Sequence, residues 1–335
     1  MLYPYRASAV KNQQRWNFGV LCPQSYSDQQ NGSDAWLMQT ECLIAADVAT
    51  RLNIEVRFLQ IVDRSIGQLL HPIVELPPVG EPEFTLVDHL TVGGRTFSTW
   101  QEAMERKVTI PALFPAAFLL HSESYFDLVS KRELEPITNP EGLVTGVIIR
   151  EWRTLSGTVD IDIKECHGGL FKATVRLRNL TQYEMPQDES RAHAIMHSFV
   201  SAHTILGAEG GQFVSLLDPP HGSRALAAEC MNIGTWPVLV GEDGERDAML
   251  SSPIILYDYP QIAPESPGSL FDGTEIDEIL SLRILTMTDD EKQEMRQSDD
   301  RTRQILERTE NMPPEQFMKL HGVLRGLRSV AEEAQ

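Results

Sequence analysis

Alternation of apolar and polar positions marks the first strands of this chain. Leu52, Ile54, Val56 and Phe58 are separated by Asn53, Glu55 and Arg57, the period-two pattern of a strand with one buried face. Val159, Ile161 and Ile163 alternate with Asp160, Asp162 and Lys164. Phe171, Ala173, Val175 and Leu177 alternate with Lys172, Thr174, Arg176 and Arg178, and Glu165-Cys166-His167-Gly168-Gly169 lies between the two runs. This pattern predicts an amphipathic hairpin, its apolar face on a core and its polar face in water. Further strands are predicted at 16–21, 39–44, 212–217, 236–240 and 254–257, with a turn at Gly93-Gly94.

Helical signals lie elsewhere. Thr99 with Glu102 fits a capping box for a short helix reaching Arg106, and residues 188–206 have helical character. After a stretch from Tyr259 to Gly273 that is broken by proline and glycine, Thr274 with Asp277 and Thr288 with Glu291 again place a hydroxyl three residues before a carboxylate. Pro313-Pro314-Glu315 sets a third start. Ile276, Ile279, Leu280 and Ile284 give the first of these helices an apolar face; Phe317, Leu320, Leu324 and Leu327 do so for the last. The middle one, 289–310, is mostly charged, its apolar residues being chiefly Met295, Ile305 and Leu306. The order of elements predicts an α+β protein: two β-rich, sandwich-like, mainly antiparallel domains over 1–150 and 151–272, then a helical C-terminal segment over 273–335.

Composition narrows the functional classes. A chain of 335 residues, 41% hydrophobic and 23% charged, can bury a sizeable core, which excludes disordered and fibrous classes. The formal charge of −19 and the lack of any Lys/Arg cluster argue against a nucleic-acid partner, which needs clustered cations to release counterions. Between Gly241 and Glu278 ten acidic residues (Glu242, Asp243, Glu245, Asp247, Asp258, Glu265, Asp272, Glu275, Asp277, Glu278) face Arg246 alone. Such a belt solubilises a surface or steers a basic partner. The longest apolar run, Ile110 to Leu120, is interrupted by proline and too short to insert in a membrane. With no export signal at the N-terminus and four scattered cysteines (Cys22, Cys42, Cys166, Cys230), the expectation is a cytoplasmic protein with buried free thiols.

Candidate chemistry is sparse. His193 and His197, four residues apart on a predicted helix, would project from one face within reach of a single metal ion. His203 falls on another side of that helix, and no glutamate stands between the pair as in HExxH. Cys166-His167 sits at a hairpin tip where adjacent side chains rarely point at one ion. Gly207-Ala208-Glu209-Gly210-Gly211 is expected to follow a helix rather than open one, so it reads as a C-cap and not a phosphate loop. Ser223 beside His221 has no visible triad. No catalytic residues and no cofactor are predicted beyond this possible single metal ion.

The strings FGVLCPQSY, MQTECL, GTWPVLVGE and SSPIILYDYPQIAPESPGSLFDGTEIDEIL resemble uncharacterised bacterial proteins of nickel-iron hydrogenase gene clusters. The resemblance implies an accessory or maturation role and carries no catalytic motif. Together these signals lead to an expected non-catalytic binding or assembly protein. It would engage a protein partner or a second copy of itself through the acidic belt (Glu265, Asp272) and the last helix (Phe317, Leu320, Leu324). Two alternatives stand beside it: a metal-dependent, hydrolase-like enzyme using His193 and His197, and a structural subunit of a larger particle.

Overall fold

The computed structural model describes residues 18–113, 120–184, 191–261, 277–297, 300–313 and 315. The chain falls into two units, one of residues 16–92 and 98–260, the other taking in 93–97 and the stretch from 261 onward. In chain order the elements are α1 (Gln24–Gln29), β1 (Leu37–Ala45), β2 (Arg51–Ile73), β3 (Phe84–Val87), β4 (His89–Val92), β5 (Arg95–Ser98) and β6 (Trp100–Leu113). Then come β7 (Leu120–Leu128), β8 (Lys131–Thr138), β9 (Val144–Trp152), β10 (Leu155–Glu165) and β11 (Leu170–Asn179). After α2 (Arg191–Ile195) follow β12 (Val200–Glu209), β13 (Gln212–Phe213), α3 (Arg224–Ala228), β14 (Trp236–Leu239) and β15 (Ala248–Ser252). The C-terminal unit holds α4 (Asp277–Leu285), α5 (Asp289–Gln297) and α6 (Asp300–Glu310).

The larger unit is an antiparallel sandwich. One sheet has the order β13-β1-β11-β10-β7; the other runs β14-β15-β12-β2-β9-β8, with β3 and β6 also laid against β2. The 23-residue β2 is the spine. Its first half pairs with β12 and β6, and from Val62 onward it pairs with β9 and β3. The predicted alternation explains the core: Leu52, Ile54, Val56 and Phe58 of β2 meet Val159, Ile161, Ile163, Phe171, Val175 and Leu177 of the β10–β11 hairpin, all buried. Each such side chain removed from water contributes roughly 1.5–3 kcal/mol. The rings of Phe58, Phe126 and Phe199 close the centre, with centroids 4.5 to 5.9 Å apart.

Several expectations change. The polar face of the hairpin is not wholly in water: Asp160 is 2% exposed because the Arg178 guanidinium lies across it in an ion pair and the Thr158 hydroxyl donates to it at 3.1 Å. The boundary expected at residue 150 falls inside β9. Strands from the stretches 1–150 and 151–272 interleave in both sheets, β1 pairing with β11 and β2 with β12. No helix follows Thr99. Its hydroxyl instead accepts the Ile66 N–H at 3.1 Å and donates to Val87 O at 3.0 Å, and β6 pairs with β2 up to Arg64. Among the described residues of 188–206 the α-helix is α2 alone; Val200 onward is strand, with His203 on it. Gly207 to Gly211 therefore close a strand, not a helix. Residues 212–217 keep only β13, and 18–21 contribute a single bridge, Leu21 to Phe199. The strand expected at 254–257 lies earlier, as β15, since Pro253 has no N–H with which to continue the ladder.

In the C-terminal unit the expected middle helix is two, α5 and α6. The capping box at the start of α5 is reciprocal: Thr288 N–H to Glu291 Oε2 at 2.8 Å, and Glu291 N–H to Thr288 Oγ1 at 3.3 Å. Met295, Ile305 and Leu306 turn inward with Ile284 and Met287, a small core of their own. Thr274, and the helix predicted beyond Pro313 apart from Glu315, lie outside the described residues.

Prolines occupy three strands at the margins of the large sheet. Pro136 is in β8 and Pro237 in β14, the two ends of its strand order. Pro111 is in β6, where the register against β2 shifts between Leu52 and Ile54. Among the described residues no helix is long and apolar enough to cross a membrane.

Candidate functional site

Two features stand out on the sandwich, one anticipated from the sequence and one not. The first surrounds the histidine pair. After α2 the chain tightens into bonds of 3-10 type, Met196 N–H to His193 O at 3.2 Å and His197 N–H to Ala194 O at 3.0 Å. Ala194 and Ile195 are buried with Val20, Tyr26 and Ile61, so the neighbouring His193 is turned outward and His197 is left half-buried. The two ring centres are 5.6 Å apart. Tyr183 completes the cluster: its hydroxyl shares a 3.0 Å hydrogen bond with Nδ1 of His193, and its ring lies 5.2 Å from that of His197. Sequence spacing could not reveal Tyr183, which reaches the pair only through the fold.

Electrostatics set the state of the inner imidazole. Nδ1 of His197 is enclosed without a hydrogen-bond partner. Burial, then the nearby His193 and Arg153, hold its pKa down to about 4. Folding therefore excludes a proton that the unfolded chain binds near the ordinary 6.5. The sign follows: this contribution to stability is complete above pH 6.5 and is lost as the pH falls toward 4. The ring meets solvent on one side, which screens the effect to about 1–2 kcal/mol. Urea unfolding of metal-free protein at pH 7 and pH 4.5 should show a steeper acid loss for the wild type than for His197→Gln; equal losses would mean that His197 does not titrate this way.

The other predicted groups do not join this cluster. His203 donates from Nδ1 to Ser201 O at 2.9 Å, beside a bulge where Ser201 itself has φ of 53°. Cys166 and His167 stay at the hairpin tip, and the Ser223 hydroxyl is spent on Pro220 O at 3.0 Å. All four cysteines are free, but only Cys22 and Cys42 are buried. Among the described residues no group of three or more His, Cys, Asp or Glu side chains could hold a metal ion. Glu265, Asp272, Phe317, Leu320 and Leu324 lie outside the described residues.

The second feature is an apolar face around β14. Glu41, itself buried, accepts the Met231 N–H at 2.8 Å and the Thr174 hydroxyl at 3.0 Å, while Gln39 and Ile233 exchange backbone bonds of 3.0 and 2.9 Å. These contacts fix Ile233 beside β1. Trp236 pairs with Ser252 across the β14–β15 ladder, and the Thr235 hydroxyl bonds Ser252 O at 3.0 Å. Ile254 and Ile255 follow directly, leaving the ladder at Pro253. The result is a run of large exposed side chains, Ile233, Trp236, Ile254, Ile255 (76% exposed) and Tyr257 (86% exposed). The Asp258 carboxylate holds the Leu239 N–H at 2.8 Å and the Tyr259 hydroxyl donates to Glu245 O at 2.7 Å, which brings this chain back to the exposed acidic turn of Glu242, Asp243, Glu245 and Asp247. The sequence signal was present in Ile254-Ile255-Leu256-Tyr257, an apolar run that reads as a strand but has no ladder to enter.

Comparison of the chain with protein-family models, with characterised proteins and with solved structures gave no match.

Proposed function

We propose that this is a non-catalytic binding or assembly protein, and that it receives a partner protein on the β14 face. The observation that carries the reading is the exposed group of Ile233, Trp236, Ile254, Ile255 and Tyr257 bordered by the acidic turn at 242–247. Large apolar side chains left exposed in one neighbourhood of a fold mark contact sites, and tryptophan and tyrosine supply much of the affinity in such contacts. The acidic border selects the occupant: a protein surface with an apolar centre and basic residues around it. An accessory role toward a nickel-iron hydrogenase, implied by the sequence resemblance, would make that occupant a hydrogenase subunit or a maturation protein.

The test is site-specific photo-crosslinking in the native host from position 255, with a control crosslinker at Val79, an exposed position in the loop between β2 and β3. The expected result is one protein species enriched at 255 over the control, weakened by salt and lost when Trp236→Asp is added. Crosslinks only to further copies of this chain would replace the partner with self-association. No enrichment over the control would overturn the docking face.

A further inference from the structure

The histidine cluster carries an inference independent of the docking face. Its three rings form a near-equilateral arrangement, Tyr183 to His193 at 5.7 Å, Tyr183 to His197 at 5.2 Å and His193 to His197 at 5.6 Å, with the two imidazole planes inclined at 47°. Two imidazoles sharing one tetrahedral ion, with metal–nitrogen bonds of about 2.0–2.1 Å, stand with ring centres roughly 5 Å apart. The centre-to-centre spacing of the pair thus matches that of two imidazoles on a common ion, which the rings would share once both Nε2 atoms turn toward it. Tyr183 adds the support that metal-bound histidines usually have. Its hydroxyl occupies Nδ1 of His193 at 3.0 Å, which fixes the ring and leaves Nε2 as the nitrogen free to ligate. On His197 the enclosed nitrogen is Nδ1, so the half-buried ring must meet solvent through its other edge.

We propose that His193 and His197 form a two-imidazole site for a late first-row divalent ion, Zn²⁺, Ni²⁺ or Cu²⁺. Neutral nitrogen donors without carboxylates favour these ions over Mg²⁺ or Ca²⁺. With no third protein ligand among the described residues, the remaining coordination positions are open to water or to a donor from another molecule. Ligation through Nε2 places the proton of His197 on its enclosed, partnerless Nδ1, an unsatisfied donor that makes this a weak, exchangeable site rather than a structural one.

The experiment titrates the purified full-length protein, stripped with a chelator, with ZnCl₂ by calorimetry and with CuSO₄ by electron paramagnetic resonance. The expected outcome is one ion per chain and a copper signal with two equivalent nitrogen couplings. His193→Ala, at an exposed position that leaves folding intact, should weaken Zn²⁺ binding at least about tenfold, and Tyr183→Phe about tenfold through loss of the orienting hydrogen bond. His197→Gln provides a second removal from the inner side. Unchanged zinc affinity and stoichiometry in both His193→Ala and His197→Gln would place the ion elsewhere and overturn the site, as would the absence of any stoichiometric binding by the wild type.

Discussion

Phe199→Ala is expected to lower the unfolding free energy by about 3–5 kcal/mol, a large share of the roughly 5–15 kcal/mol that holds a domain together. Phe199 is fully buried, its ring 4.5 Å from Phe58 and 5.5 Å from Phe126. Phe58 belongs to the large sheet and Phe126 to the small one, so truncation opens a cavity where the two sheets meet. The site is poorly able to collapse into that cavity. The Phe199 backbone is held on both sides by Leu21, at 2.8 and 3.0 Å, and Gly157 stands so close that a Cβ there would lie 2.7 Å from the Phe199 ring. Phe199→Leu, which keeps most of the volume, should cost much less. Urea unfolding followed by tryptophan fluorescence measures both; an alanine variant within about 1 kcal/mol of wild type would show that this cluster does not couple the sheets.

Asn179→Asp should be nearly as damaging although it barely changes shape. The Asn179 amide is completely buried; its nitrogen donates to Leu21 O at 2.8 Å and His197 O at 2.9 Å, and its oxygen accepts the Thr181 N–H at 2.9 Å. One side chain thereby joins the end of β11 to the N-terminal segment and to the turn carrying His197. An aspartate turns both donors into acceptors facing carbonyl oxygens and buries a charge without a cation, a loss of about 3 kcal/mol or more. Burial would raise the pKa of that carboxyl above its unfolded value. The variant therefore keeps more of its stability below the unfolded pKa and loses it as the pH rises through the folded pKa. Unfolding curves at pH 4 and pH 7 test this: a deficit that does not grow toward neutral pH would contradict the hydrogen-bond assignment.

What the sequence made legible was local. Leu52 to Phe58, Val159 to Lys164 and Phe171 to Arg178 alternate without interruption, and all three became walls of the sandwich core. The reciprocal cap at Thr288 and Glu291 was equally plain, because capping needs only four consecutive residues. The errors arose where long-range pairing overrode local preference. Residues 100–106 have helix-compatible composition and a capping signal, yet β2 offered them a strand to pair with along nearly their whole length. In β12 the inward positions include Ala202, Thr204 and Ala208, small residues whose alternation is too faint to separate strand from helix. The domain boundary failed for the same reason, since nothing in the pattern of one strand says which distant strand lies beside it. For the histidine pair the spacing was visible, while its support from Tyr183 was not. The β14 face was hidden because an exposed apolar run looks, letter by letter, like a buried one.

The prolines at the margins of the large sheet limit how this protein can associate. In β14 the Leu239 N–H and C=O point away from β15, toward Asp258 and Tyr259, so Pro237, two residues earlier, turns the same way. Where a newcomer strand would seek an amide proton, the ring offers none. Pro136 withholds a donor at the opposite end of the sheet, and Pro111 does so where β6 slips out of step with β2. At these three points the sheet offers a newcomer strand no amide proton, while β3 and the rest of β6 keep theirs. Strand addition is therefore disfavoured at both ends of the strand order, and a partner arriving there meets this protein through side chains.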